Sequence, residues 1–206
     1  MTLWAKPSFK EEIMNTPNKL TVFRAAMVPL FLAVLLIDSI PCNFLLAGLV
    51  FGGLSLTDMI DGKMARERGL VTNFGKFLDP LADKVLVISA LVGMTVIKTA
   101  SKAALLCWLI GIIIILAREF MVSALRLVCV EQGNVIAANI WGKVKTVTQM
   151  VAILVILAIE QLLEWFPQIP AELRAVGDIC FLVCVISTVV SGIIYIKQNA
   201  SGIGEM

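Results

Sequence analysis

TDMIDGKMARERGLVTNFGKFLDPLADK, residues 57–84, sets four aspartates, three glycines and a cluster of basic residues inside an otherwise apolar chain. Asp58 and Asp61 stand three apart and Asp79 and Asp83 four apart, so two helices would place each pair on one face. Four carboxylates converging in a low-dielectric setting repel one another, and they all stay ionised only if hard cations sit between them. The residue types therefore predict a two-metal cage for Mg²⁺ or Mn²⁺, with Asp58, Asp61, Asp79 and Asp83 as ligands. Gly62 and Ala65 fall on the face of Asp58, and Gly75 precedes Asp79 by one turn, which leaves room for a ligand. Arg66 ends the first helix close to that face, where it would meet a phosphate, while Gly69 and Asn73 supply the turn between the helices. A binuclear metal site beside an arginine suits phosphoryl transfer. The plain alternative is a pair of membrane helices whose aspartates form structural salt bridges with Lys63, Arg68, Lys76 and Lys84, which gives no reason for the glycine spacings.

The surrounding composition sets the class. Of 206 residues, 59% are hydrophobic and only 16% charged, and the mean hydropathy is +0.95. That is too apolar for a soluble domain of this size and predicts an integral membrane protein. Six segments reach the roughly 20 residues a bilayer core demands: 19–37, 42–66, 75–98, 103–129, 138–163 and 173–197. The expected fold is all-α, a single domain over residues 1–206 made of six transmembrane helices. Residues 1–16 read as a short interfacial helix, with Ser8 and Glu11 as a capping box and Trp4, Phe9, Ile13 and Met14 for the interface. Every Lys and Arg except Lys98, Lys102 and Arg174 falls at the termini or near the 2–3 and 4–5 connections. The positive-inside rule then puts both termini and the aspartate cage on the cytoplasmic side.

Other function classes are excluded or weakened. The net charge of +2 gives no argument for nucleic acid as a partner. There is no histidine, which removes histidine triads, histidine-ligated zinc and phosphohistidine intermediates. Cys42, Cys107, Cys129, Cys180 and Cys184 show no metal or disulfide spacing and read as small packing residues. Gly48, Gly52 and Gly53 in the second span read as points of close helix approach.

Charges within the later spans need a polar cavity, because each costs about 2.5–3.5 kcal/mol at a helix centre. Arg118 and Arg126 lie about 80° apart around an ideal helix, and Lys143 or Lys145 closes the wall from the next span. Together they make an anion pocket; the competing reading pairs Arg118 with Glu119 or a nearby aspartate. Thr57, directly before Asp58, would bond a nucleotide or back-bond its own helix. Asn18 would cap the first span, which opens at Thr16-Pro17, and Arg24 would snorkel or reach toward the site. Asp178, in the last span, would bond a neighbouring helix or line a hydrated crevice.

Asp58, Asp61, Gly62, Ala65, Arg66, Gly75, Asp79 and Asp83 reproduce, in type and in every spacing, DxxDGxxARx₈GxxxDxxxD. On these eight positions the chain resembles the CDP-alcohol phosphatidyltransferases. The runs PNKLTVFR, AREFMVSALR and GKVKT further resemble the phosphatidylglycerophosphate synthase branch. That resemblance implies a metal-dependent enzyme of a bacterial inner or plasma membrane that moves the phosphatidyl group of CDP-diacylglycerol to sn-glycerol 3-phosphate. It implies that Asn18, Thr57, Gly62, Ala65, Arg66 and Gly75 hold CDP-diacylglycerol. It assigns Asp83 as the base on the acceptor hydroxyl, and Arg118, Arg126, Lys143 and Lys145 to the acceptor phosphate. A homodimer with one site per protomer, held among membrane lipids, follows from the same likeness. The rivals are another acceptor (phosphatidylglycerol, serine, an inositol phosphate or an amino-alcohol) and, outside the family, a cation transporter. A transporter's ions should bind near the midplane, whereas these aspartates cluster at a cytoplasmic end.

Overall fold

The structure, a computed structural model, describes residues 16–67, 73–98, 101–131, 140–170 and 172–198. Inside the helices, the side chains of 16–18, 58–80, 83, 98, 127–128 and 130–131 are not part of that description. Among the described residues there are six helices and no strand: α1 Thr16–Leu36, α2 Asn43–Glu67, α3 Asn73–Lys98, α4 Lys102–Glu131, α5 Ile140–Trp165 and α6 Leu173–Gln198. Every end lies within a turn of the expected one, since span-length apolar runs broken by Pro, Gly and Asn leave little freedom in placing helices. The expected interfacial helix falls before residue 16, outside the described residues.

Four of the helices are long and apolar enough to cross a membrane: Lys19–Leu36, Lys102–Arg126, Ile140–Trp165 and Leu173–Gln198. Among the described residues of α2 and α3 the apolar stretches are Asn43–Thr57 and Lys84–Ile97. Large side chains such as Ile113, Val147, Ile179 and Leu182 are more than half exposed. So much outward apolar surface on long helices fits contact with lipid.

The chain divides into two compact units, Met1–Ser89 and Ala90–Met206, with the boundary inside α3. In the first unit α1 buries Thr21, Arg24, Val28, Phe31 and Leu35, and α2 buries Asn43, Ala47, Phe51 and Leu54. These are steps of three and four, the stripe a helix needs to pack on one face. Phe31 meets Phe51 with ring centroids 6.0 Å apart. Asn43 donates from Nδ2 to the Leu35 carbonyl at 3.3 Å, satisfying an acceptor at the end of α1. Cys42, at φ 56°, turns the chain into α2.

In the second unit α6 packs against both α4 and α5. Trp108 of α4 stacks on Phe181 of α6, centroids 4.0 Å apart and planes 6° apart, and its Nε1 donates to Asp178 Oδ1 at 3.3 Å. Asp178 therefore bonds a neighbouring helix, one of the two readings its sequence position left open. Glu160, almost fully buried near the end of α5, accepts from Arg174 Nε at 3.1 Å across the turn to α6. Cys129 and Cys184 are buried, as packing residues should be, while Cys107 is exposed.

The glycine expectation needs correction. Gly53 is exposed, and a Cβ there would meet nothing within 4 Å, so it serves no close approach among the described residues. The tight position is Gly111, where a Cβ would lie 2.7 Å from the Phe181 ring and 3.0 Å from Val185 Cγ2. The Trp108 stack holds that ring in place. Gly111→Ala should lower stability by about 1–3 kcal/mol, the usual cost of overpacking. Gly53→Ala should raise it by about 0.5–1 kcal/mol through helix propensity. Denaturant unfolding in detergent would check the opposite signs; a neutral Gly111→Ala would contradict this packing.

Candidate active site

Asp58, Asp61, Gly62, Ala65 and Arg66 lie on the unbroken backbone of α2, and Gly75, Asp79 and Asp83 on that of α3. The helical premise of the spacing argument is therefore met, although these side chains lie outside the described residues. Helical register adds an observation the sequence alone did not provide. On α2, positions 58 and 61 continue the buried series Ala47, Phe51, Leu54. On α3, positions 79 and 83 continue the buried series Ala82, Leu86, Ala90. Both aspartate pairs thus stand at helical positions in register with those series.

The α1–α2 pairing brings further residues to the same level. The Leu35–Asn43 bond and the Phe31–Phe51 contact make the two helices antiparallel. Arg24 lies seven residues before Phe31, and Asp58 seven after Phe51, so at equal rise they come level. Arg24 is 2% exposed, so it does not snorkel. Asn18 comes level with the Gly62–Arg66 turn by the same count. Thr57 donates its hydroxyl to the Gly53 carbonyl at 2.8 Å. It takes the back-bonding option, which leaves only its oxygen lone pairs for a ligand.

The predicted anion pocket is a described cluster in the second unit. Arg118 of α4 donates from one terminal nitrogen to Glu119 Oε1 at 2.9 Å and from the other to Ser191 Oγ of α6 at 2.7 Å. Lys145 of α5 donates to the same Glu119 oxygen at 2.5 Å. The lysine side chain is only 4% exposed. Arg126 stands over the Tyr195 ring, 5.6 Å from its centroid, and Lys143 is exposed. The structure thus joins Arg118 and Lys145 directly, holds Arg126 on α6 one turn beyond Ser191, and leaves Lys143 outside these contacts.

Arg118 does pair with Glu119, as the competing reading had it. The pairing does not exhaust the guanidinium, which carries five N–H donors: its buried Nε has no hydrogen-bond partner. Gly192 makes the arrangement possible, because a Cβ there would lie 3.1 Å from Arg118 Cγ. Sequence reading missed Lys145–Glu119, Ser191, Tyr195 and Gly192. A signal existed for one of them, since Tyr195 is the chain's one tyrosine, set a turn after a Ser-Gly pair in an apolar helix.

A family model described as CDP-alcohol phosphatidyltransferase matches residues 14–194. The chain belongs to that family. Among relatives in it, the CDP-diacylglycerol–glycerol-3-phosphate 3-phosphatidyltransferase of Bacillus subtilis (strain 168) is 39% identical over 200 residues, covering 91% of this chain and 96% of the relative. The protein of the same name from Rickettsia bellii (strain RML369-C) is 34% identical, covering 89% and 94%. A probable phosphatidylglycerophosphate synthase of Mycobacterium tuberculosis (strain ATCC 25618 / H37Rv) is 34% identical, covering 95% and 86%. A CDP-alcohol phosphatidyltransferase needs sites for a nucleotide, a lipid and an acceptor.

Proposed function

We propose that the protein transfers the phosphatidyl group of CDP-diacylglycerol to sn-glycerol 3-phosphate, forming phosphatidylglycerophosphate and CMP. The observation that carries this reading is the eight-position pattern from Asp58 to Asp83, set on two consecutive helices of a chain that aligns almost end to end with relatives so named. The basic cluster supports a phosphorylated acceptor over serine or an amino-alcohol.

All six helices cross the membrane, with both termini and the site on the cytoplasmic side. The diacyl tails stay in the bilayer while the nucleotide approaches from water. The donor set, four carboxylates on helical backbone, fits hard divalent cations, so Asp58, Asp61, Asp79 and Asp83 would hold Mg²⁺ or Mn²⁺. Bound there, the ions supply neutralisation of charge on the pyrophosphate. Gly62, Ala65 and Gly75 leave space for the nucleotide, Arg66 pairs with a phosphate, and Asn18 and Thr57 offer polar contacts at the same level. Asp83 takes the proton of the acceptor hydroxyl. That oxygen bonds to the phosphatidyl phosphorus as the bond to the bridging oxygen breaks, and CMP leaves with the electron pair. The chain has no histidine to activate a serine or cysteine as nucleophile, so the displacement is direct. Arg118, Arg126 and Lys145 hold the acceptor's phosphate.

EDTA should abolish turnover and Mg²⁺ or Mn²⁺ restore it; full activity in metal-free buffer would overturn the cage. Asp58→Asn, Asp61→Asn and Asp79→Asn should each cut the rate by orders of magnitude in assays of purified protein. The assembly should be a homodimer, read as the mass of the active protein in nanodiscs, and a fully active monomer would count against it.

The acceptor site should separate from the base in kinetics. A charge-assisted contact is worth roughly 1.5–3 kcal/mol, so Arg118→Gln or Lys145→Gln should raise KM for glycerol 3-phosphate about 10- to 100-fold. Asp83→Asn should act mainly on kcat, because a base works in the transition state. An unchanged KM in both folded basic variants would remove the pocket and with it the residue-level case for this acceptor.

A further inference from the structure

Glu119 stands in an unusual position: one of its oxygens accepts from a cation on its own helix and from a cation on the next. Arg118 Nη1 lies 2.9 Å away and Lys145 Nζ 2.5 Å, the first from α4 and the second from α5. Arg118 is also fixed from a third side by Ser191 Oγ of α6 at 2.7 Å, against the glycine surface at Gly192. Two flexible side chains from different helices are therefore held at one spacing by a shared carboxylate. A long cation fixed beforehand loses less rotamer freedom on meeting a ligand than one that must be ordered. Both are cations, and without an anion between them they would repel one another.

We propose that Glu119 is a positioning residue for acceptor binding, which presets Arg118 and Lys145 as a two-cation clamp for one phosphate group. This rests on the reading that Arg118 and Lys145 bind the acceptor phosphate. Glu119 itself does not contact the acceptor. A carboxylate in direct contact with phosphate would repel it, so the role requires Glu119 to stand behind the two cations, with Arg118 Nε, buried and without a hydrogen-bond partner, among the donors left for the ligand.

The sign of the effect makes the idea testable. If Glu119 merely screened the pocket, removing its charge would strengthen phosphate binding and lower KM. If it positions the clamp, removal loosens both cations and raises KM despite the more positive pocket. Purified Glu119→Gln and Glu119→Asp would be assayed in nanodiscs with CDP-diacylglycerol and glycerol 3-phosphate, beside Arg118→Gln, Lys145→Gln and the double variant Glu119→Gln/Lys145→Gln. The expected result is a KM for glycerol 3-phosphate raised about tenfold in both Glu119 variants. The kcat and the KM for CDP-diacylglycerol should stay within about twofold. The double variant should bind the acceptor worse than Lys145→Gln alone, since Arg118 also loses its carboxylate, but by less than the tenfold effect of Glu119→Gln by itself, because residues acting through one another are not additive. If Glu119→Gln does not fold, Glu119→Asp carries the comparison, since its shortened carboxylate keeps the charge and loses the bridge.

A lowered KM, or reduced thermal stability with KM unchanged, would overturn the proposal. If Arg118→Gln and Lys145→Gln raise KM while both Glu119 variants leave it alone, positioning fails and the acceptor pocket stands. If all of them leave KM unchanged, the pocket itself fails.

Discussion

Lys145 is a cation with almost no exposed surface, on a helix apolar enough to cross a membrane. Such a group has to meet an anion inside the protein, because leaving a buried charge without its partner costs about 3–5 kcal/mol. Glu119 answers that demand from α4, and Arg118 joins on the same oxygen. The constraint reaches beyond the pair. The shared carboxylate links α4 to α5, Arg118 links α4 to α6 through Ser191, and Arg126 lies on Tyr195 further along α6. Three helices with lipid-like exteriors are thereby given a polar connection whose geometry is directional, which apolar contact alone does not provide.

The aspartate region obeys the same rule by other means. Positions 58 and 61 keep the register of Ala47, Phe51 and Leu54, and positions 79 and 83 that of Ala82, Leu86 and Ala90. Arg24 is buried on α1 at the level of position 58 of α2, so a cation lies within the first unit at that height. In the function we propose, metal ions would supply the remaining compensation, because carboxylates favour hard cations.

What the sequence disclosed and what it withheld divide along one physical line. Helix extents were legible, because a bilayer-length apolar run between Pro17, Pro41, Gly133 and similar breakers leaves only one economical placement. The aspartate and glycine spacings were legible because they act within one helix, where i to i+4 geometry is fixed. Pairings across helices were not. Lys145 and Glu119 are 26 positions apart, and their meeting depends on the rotation and register of α4 against α5, which no local pattern encodes. The glycines show the same limit. Gly53 looked like a contact point and faces open space, whereas Gly111 and Gly192, which looked ordinary, carry the close approaches. Thr57 was ambiguous in sequence for the same reason, since a hydroxyl four residues after Gly53 always has its own helix as an available partner.

Those two close-approach glycines connect packing to chemistry. Trp108 with Phe181, Arg118 with Ser191 and Arg126 with Tyr195 are successive meetings of α4 and α6, so the two helices run parallel. Gly111 admits the Phe181 ring at one level, and Gly192 admits the Arg118 side chain at another. Seven residues separate Gly111 from Arg118, about 10 Å along a helix axis. A helix transmits displacement over that distance with little loss, because its hydrogen-bonded backbone and close-packed neighbours do not yield locally. The aromatic stack at the apolar end therefore sets how near α4 stands to α6 at the charged end. A hydrogen bond of 2.7 Å between Arg118 and Ser191 tolerates only a few tenths of an ångström before it weakens. The position of the guanidinium is thus decided as much by a glycine packed on an aromatic ring as by the ion pair beside it.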